Sequence, residues 1–138
     1  MKKLLLCLLM FMSFATLSFA SDVVGEWKMS LEDGVNYITF ENDGSVEVQY
    51  ASMWGFVNVC TGKYENSGNQ VTLYLVKEFM VYEGEPGSQK DMNVAIEFLV
   101  SFDGNRLVLT PRNLNDKTKK FLKDYCGSVS GSYQYKKL

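Results

Sequence analysis

The sequence predicts an all-β fold: an antiparallel meander of about eight strands closed into a barrel, with one short late helix. Three observations lead to this prediction. Apolar and polar residues alternate along many short segments, as they do in strands with one dry face. Tight-turn signals such as Asp43-Gly44 separate these segments, and tight turns join antiparallel neighbours. Closing the ribbon into a barrel removes the exposed edges that would otherwise promote aggregation.

The chain opens with the pattern of a secretory signal peptide. Two lysines precede an apolar stretch, and residues 18–20 read Ser-Phe-Ala, a small-x-small cleavage site. We therefore predict a signal peptide over 1–20, one barrel domain over 21–138, and export to the periplasm or the cell exterior with no stable membrane span left after cleavage. Cleavage after Ala20 leaves 12 basic against 16 acidic residues, so the net charge falls from −2 to −4. That balance disfavours nucleic acid as a partner.

The first predicted strand, 24–30, contains the Gly25-Glu26-Trp27 sequence. Because strand side chains alternate, Trp27 and Met29 share one face. The missing side chain at Gly25 lets another segment approach closely. We interpret Trp27 as the side chain that plugs one end of the barrel, and the alternative is an ordinary core tryptophan.

Seven further strands are predicted at 35–41, 45–51, 57–65, 70–80, 93–103, 106–110 and 132–137. The apolar corner 51–56, which contains Trp54, is interpreted as a strand corner or as a lid over an opening. The segment 82–92 contains glycine, proline and four charged residues, which predicts a mobile loop. The segment 111–125 has apolar residues at helical spacing, with Asn115 or Asp116 as its N-terminal cap.

Two cysteines, Cys60 and Cys126, remain after the predicted cleavage. An exported protein meets oxidising conditions, where an even cysteine count favours a disulfide. A bridge between them would close a loop of about 65 residues and stabilise the fold by roughly 4 kcal/mol. The alternative is two separate buried thiols.

The Gly-x-Trp of the first strand, followed by a strand meander and a late helix, resembles the lipocalin-like proteins of the calycin group. The resemblance implies that Trp27 closes one barrel end and that an arginine near the helix, here Arg112, packs on it. It also implies a disulfide between barrel wall and C-terminal tail, which fits the positions of Cys60 and Cys126. The late hairpin lacks the family's Thr-Asp-x-x pattern, and the chain is shorter than a typical member, like compact lipocalin-like domains of the bacterial envelope.

The chemistry of the chain favours binding over catalysis. It contains no histidine, so a Ser-His-Asp or Cys-His site is excluded and the commonest metal ligand is missing. No glycine-rich phosphate loop occurs between a strand and a helix. Glu47 and Glu97 would be the carboxylates available for acid–base work, but they fit the solvated outer faces of two strands. We therefore expect no enzyme activity, no metal and no cofactor.

The leading hypothesis is a small, mostly apolar ligand bound in the barrel lumen. The candidate ligand-binding residues are aromatic: Tyr37, Tyr50, Trp54, Tyr74, Phe98, Tyr133 and Tyr135. The alternative is that the same residues fill a solid core, and that the protein is an interaction or inhibitor module of the envelope. Such a module would use the corner 51–56 and the loop 82–92 to bind a protein partner.

Overall fold

The computed structural model describes residues 23–138. The predicted signal peptide over 1–20 and its cleavage site lie outside these residues. In chain order the elements are β1 (Gly25–Ser30), β2 (Gly34–Phe40), β3 (Ser45–Ser52), β4 (Phe56–Ser67), β5 (Gln70–Tyr82), β6 (Glu85–Pro86), β7 (Lys90–Asp103), β8 (Arg106–Arg112), α1 (Asp116–Cys126) and β9 (Tyr133–Lys137).

Eight of these strands form one closed antiparallel barrel. The strands β1 to β5 pair in sequence, β5 pairs with β7, and β7, β8 and β9 continue the ladder. The barrel closes where β9 pairs with β1. The strand β6 is a two-residue addition to β5. The predicted fold class, an all-β barrel of eight antiparallel strands with one late helix, is confirmed.

The barrel has two unlike ends. One end, called here the Trp27 end, carries the connections 41–44, 68–69 and 104–105. The other, called here the helix end, carries the connections 31–33, 53–55 and 83–89 together with α1. The strands β4, β5 and β7 contain 12, 13 and 14 residues, more than the others, so they extend one side of the wall at the helix end.

The interior is filled by side chains from the inward faces of the strands. Large residues such as Phe40, Phe98 and Tyr135 are at most 2% exposed and belong to one continuous core. The strand β3 shows the alternation that produces this core, since Val46 and Val48 are buried while the residues between them are not.

The alternation is interrupted once, in β5. Gly62 of β4 pairs with Leu75, but the preceding residue Thr61 pairs with Lys77, so Val76 is an extra residue in β5. Such a β-bulge reverses which side chains face inward beyond it. Gly62 is required here, because a Cβ at that position would lie 1.9 Å from the carbonyl oxygen of Tyr74.

The helix begins at Asp116, and the predicted cap Asn115 is confirmed. Pro111 remains in the β8 ladder opposite Phe98, so the strand continues to Arg112. Asn115 then caps α1: its side chain accepts from the N–H of Thr118 at 3.0 Å, and its own N–H donates to the Thr118 hydroxyl at 2.8 Å. This reciprocal pair is a capping box.

The apolar face of α1 covers the helix end of the barrel. Phe121, Leu122 and Tyr125 are buried against the ends of the strands. Part of the predicted loop 82–92 is instead strand, since it contains β6 and the start of β7.

Candidate functional site

The Trp27 end contains a buried indole. Trp27 is 2% exposed, its Nε1 donates to the carbonyl of Val23 at 2.8 Å, and its ring centre lies 6.3 Å from that of Phe102. The Nζ of Lys137 lies 5.5 Å from the indole centre, within reach of a cation–π contact. A Cβ on Gly25, whose φ is +132°, would lie 3.1 Å from the Cε of Lys137, so the glycine leaves room for that lysine.

The expectation that Arg112 packs on Trp27 is wrong. Arg112 ends β8 at the helix end, where it pairs with Glu97 of β7. Trp27 instead lies beside Phe102, five residues further along β7. Five residues of strand span about 17 Å, which is more than an arginine side chain can reach. The cation over the indole is Lys137.

The seven predicted ligand-binding residues are not gathered in one cavity. Four are buried in the core: Tyr50, Phe98, Tyr133 and Tyr135. Tyr37 and Tyr74 each lie between two inward-facing neighbours, so the strand alternation turns them outward. Trp54 is 66% exposed on the turn 53–55.

All three of these buried tyrosines use their hydroxyls within the fold, and that of Tyr50 donates to the carbonyl of Asp33 at 3.3 Å. The hydroxyl of Tyr135 donates to the Oδ1 of the fully buried Asn36 at 2.6 Å. The hydroxyl of Tyr133 donates to the carbonyl of Ser128 at 2.6 Å and accepts from the N–H of Ser130 at 2.9 Å. Burial raises the pKa of Tyr135 well above its ordinary value. The Tyr133 hydroxyl therefore holds the connection from α1 to β9, and the Tyr135 hydroxyl joins β9 to β2.

The predicted disulfide is not formed, and Cys60 and Cys126 are separate buried thiols. The Sγ of Cys126 lies 3.8 Å from the hydroxyl of Tyr135, and burial raises the pKa of this thiol to about 12. Burial also raises the pKa of the Cys60 thiol, which lies beside the hydroxyl of Tyr125. Each thiol lies beside a different tyrosine. Two separate buried thiols were the alternative to a disulfide in the sequence analysis.

A cleft of about 410 Å³, called here the helix-end cleft, lies between α1 and the extended wall of β4 and β5. Pockets of this size hold small molecules. Tyr50, Phe56 and Met80 give it an apolar side, and the ring centres of Tyr50 and Phe56 are 6.2 Å apart. Tyr50 is therefore the one predicted binding residue that lines this cleft.

Glu78 of β5 is the polar centre of the cleft. It lies opposite the buried Cys60 on β4, so it faces inward. It also lines an adjoining cleft of about 220 Å³ on the other side of α1. Within residues 23–138 its side chain makes no hydrogen bond or ion pair, although Lys90 is its neighbour on β7.

The other polar groups of the cleft differ from Glu78 in their partners. Asp124 of α1 is held by Lys120, one helical turn earlier, at 2.7 Å. The side-chain amide of Asn58 makes no hydrogen bond to the described part of the chain. Glu78 and Asn58, like Ser88 and Lys90 at the rim of the cleft, therefore keep hydrogen-bonding capacity that a bound molecule can use.

Sequence reasoning missed Glu78 because the bulge at Val76 reverses the faces of β5. Before the bulge Leu73 and Leu75 face inward, and after it Glu78 and Met80 do so. The available signal was the pair of adjacent apolar residues at 75–76, where regular alternation stops.

Within residues 23–138, no three cysteine, aspartate or glutamate side chains are arranged to hold a metal ion. In the same part of the chain, no helix has the length and apolar character needed to cross a membrane. We found no match to this chain among protein-family models, curated proteins or solved structures.

Proposed function

We propose that this chain is an exported, lipocalin-like protein of the bacterial envelope that binds a small, mostly apolar ligand in the helix-end cleft. The observation that carries the proposal is the cleft itself. It has a volume of about 410 Å³, aromatic walls, and a carboxylate, Glu78, that no described residue hydrogen-bonds. The packed interior of the barrel favours this cleft over the lumen as the binding site.

The lining defines the chemistry of the ligand. Tyr50, Phe56 and Met80 would contact an apolar body, while Glu78 would accept a hydrogen bond and Asn58 would donate or accept one. The chain gives the half-buried Glu78 carboxylate no hydrogen bond, and a donor on the ligand would supply one. The ligand that fits best therefore has an apolar ring or chain and one N–H or O–H group. The chain has no histidine, so we propose binding and not catalysis.

Fluorescence titration with N-phenyl-1-naphthylamine, a neutral apolar probe with one N–H donor, tests this proposal. We expect binding by the wild type and a loss of at least about tenfold in affinity for Ser88→Trp, because that indole would fill the cleft. Ser101→Trp, on the exposed face of β7, is the matched control and should bind as the wild type does. Equal binding by both variants, or no probe binding at all, would contradict the proposal.

A second candidate function, a protein-interaction module, is favoured by one observation. The turn 53–55 exposes Met53 and Trp54, which are 69% and 66% accessible. Large apolar side chains exposed together are typical of interaction sites, and tryptophan is enriched among residues that dominate binding energy. A partner that is released by Trp54→Ala, but not by Ser101→Trp, would support this candidate.

A further inference from the structure

We infer that the helix end docks a basic polypeptide through its loops, an inference that rests on the second proposed function and names the partner's chemistry. The surface, called here the acidic rim, consists of the segments 31–33, 52–55 and 82–89. These three segments contain four carboxylates and no lysine or arginine. The carboxylates belong to Glu32, Asp33, Glu83 and Glu85.

The segments of the acidic rim are adjacent in space. The N–H of Met53 donates to the carbonyl of Asp33 at 3.0 Å, which joins the first two segments. Tyr82, at the start of the third, pairs with Phe56, directly after the second. The carboxylates therefore lie along one continuous edge of the barrel, where their fields add.

The end of α1 adds to this negative potential. A groove of about 530 Å³ is lined by Glu32, Asp33 and Trp54 on one side and by Gly127 on the other. Gly127 is the left-handed C-cap of α1, with φ of 81°. The unpaired carbonyls at a helix C-terminus carry a partial negative charge, which favours cations. Lys123 in the last turn of α1 offsets part of this potential.

The acidic rim also presents two exposed apolar side chains, Met53 and Trp54, on a hydrogen-bonded turn. Trp54 is held on its turn, since its N–H donates to the Oγ of Ser52 at 2.9 Å and the N–H of Gly55 donates to the Ser52 carbonyl at 3.2 Å. The backbone of this turn is therefore already ordered and loses little conformational entropy when a partner binds. The face of the Trp54 ring would also attract a lysine or arginine of that partner.

The lysines of the helix end restrict which surface a basic partner can contact. Four of them lie on α1, at positions 117, 119, 120 and 123, and Lys120 is already paired with Asp124. A basic partner therefore fits the loops and is repelled by the exposed face of the helix. A second copy of this chain, with its helix on the rim of the first, is the competing occupant.

Binding to cytochrome c, a small basic protein, and to its lysine-acetylated form tests the inference. The measurement is made by surface plasmon resonance in about 10 mM salt, where the Debye length is about 30 Å. We expect the wild type to bind the native probe and not the acetylated one. Trp54→Ala should weaken binding about 30-fold, as expected for an interface anchor.

Two variants with the same change in net charge test whether binding depends on the carboxylates of the acidic rim or only on the total charge of the protein. The rim variant carries Glu32→Gln, Asp33→Asn, Glu83→Gln and Glu85→Gln. The control variant carries Glu26→Gln, Glu41→Gln, Glu65→Gln and Asp103→Asn, all exposed at or near the Trp27 end. We expect at least about tenfold weaker binding for the rim variant and less than about twofold for the control.

Each other outcome overturns the inference in a distinguishable way. Equal losses in both charge variants would mean that only net charge matters. Binding that depends on Trp54 but on neither charge set would keep the second proposed function and reject a basic partner. A wild-type dimer in analytical ultracentrifugation that dissociates in the rim variant would assign the rim to a second copy. No binding of cytochrome c by the wild type would reject the inference outright.

Discussion

The two ends of the barrel are closed by different means. At the Trp27 end the buried indole of Trp27 packs beside Phe102, and the backbone carbonyl of Val23 accepts from its indole N–H. At the helix end an amphipathic helix lies across the ends of the strands, and clefts of about 410 and 220 Å³ remain around Glu78. The buried indole at the Trp27 end uses its one polar group within the fold, whereas the helix end leaves the Glu78 carboxylate in a cleft without a hydrogen bond from the described residues.

The two tryptophans of the chain give the largest expected contrast between the ends. Trp27→Ala should lower the free energy of unfolding by about 4 kcal/mol, because it removes a buried indole and leaves a cavity. Trp54→Ala should change it by less than about 0.5 kcal/mol, because that side chain is exposed. Urea unfolding of both variants checks the prediction. Similar losses for the two would remove the distinction between a sealed end and an open one.

The β-bulge in β5 turns Glu78 inward to the helix-end cleft. A substitution of Gly62 should disrupt this bulge. Gly62→Ala should cost about 3 kcal/mol of stability, since the new Cβ would lie 1.9 Å from the carbonyl oxygen of Tyr74 and the strands would have to separate. Gly131→Ala is the matched control, because a Cβ there meets no atom within 4 Å. Thermal unfolding compares the two. A stable Gly62→Ala protein would show that the strands at the bulge adjust freely.

Alkaline pH should weaken the helix end. Burial raises the pKa of Cys126 from an ordinary value of about 9 to about 12, so above pH 9 the unfolded chain loses a proton that the folded chain keeps. The contribution of this thiol is therefore intact below pH 9, and stability falls by about 1.4 kcal/mol per pH unit as the pH rises towards 12. Urea unfolding from pH 8 to 11 should show a shallower decline for Cys126→Ala. Parallel declines would contradict the assignment.

The smallest effect is expected at the cap of α1. Asn115→Ala removes the side-chain acceptor of the capping box and should cost about 1 kcal/mol. Amide hydrogen exchange in α1 should become about fivefold faster, while exchange in β1 at the Trp27 end stays unchanged. Faster exchange at both ends would mean that the helix and the Trp27 end open as a single unit.

The features that the sequence predicted are those that depend on alternation and turn chemistry. The strands β2, β3 and β7 alternate regularly, and the Asp43-Gly44 and Asp103-Gly104 turns lie where the sequence places them. The same local rules lead to the closed barrel. Its strands pair with the barrel strand that comes next in the chain, and the last strand, β9, pairs with the first, β1.

The features that the sequence did not predict depend on position in three dimensions. Arg112 and Lys137 are both cations near the end of a strand, and only the direction of β8 and β9 shows which one reaches Trp27. Glu78 was missed because one extra residue, Val76, reverses the face of every later side chain in β5. Such choices depend on register, which a single sequence does not specify.

The closing seam of the barrel has a consequence for how the protein is made. β1 pairs with β9, and the paired residues Trp27 and Lys137 are 110 positions apart in the sequence. β1 therefore gains its second neighbouring strand only after the last strand has been made. During synthesis β1 and β8 therefore both present unpaired edges, which invite pairing with other chains. Any step that delays the last strand prolongs that exposure, so the yield of native protein will depend on how quickly β9 reaches its place.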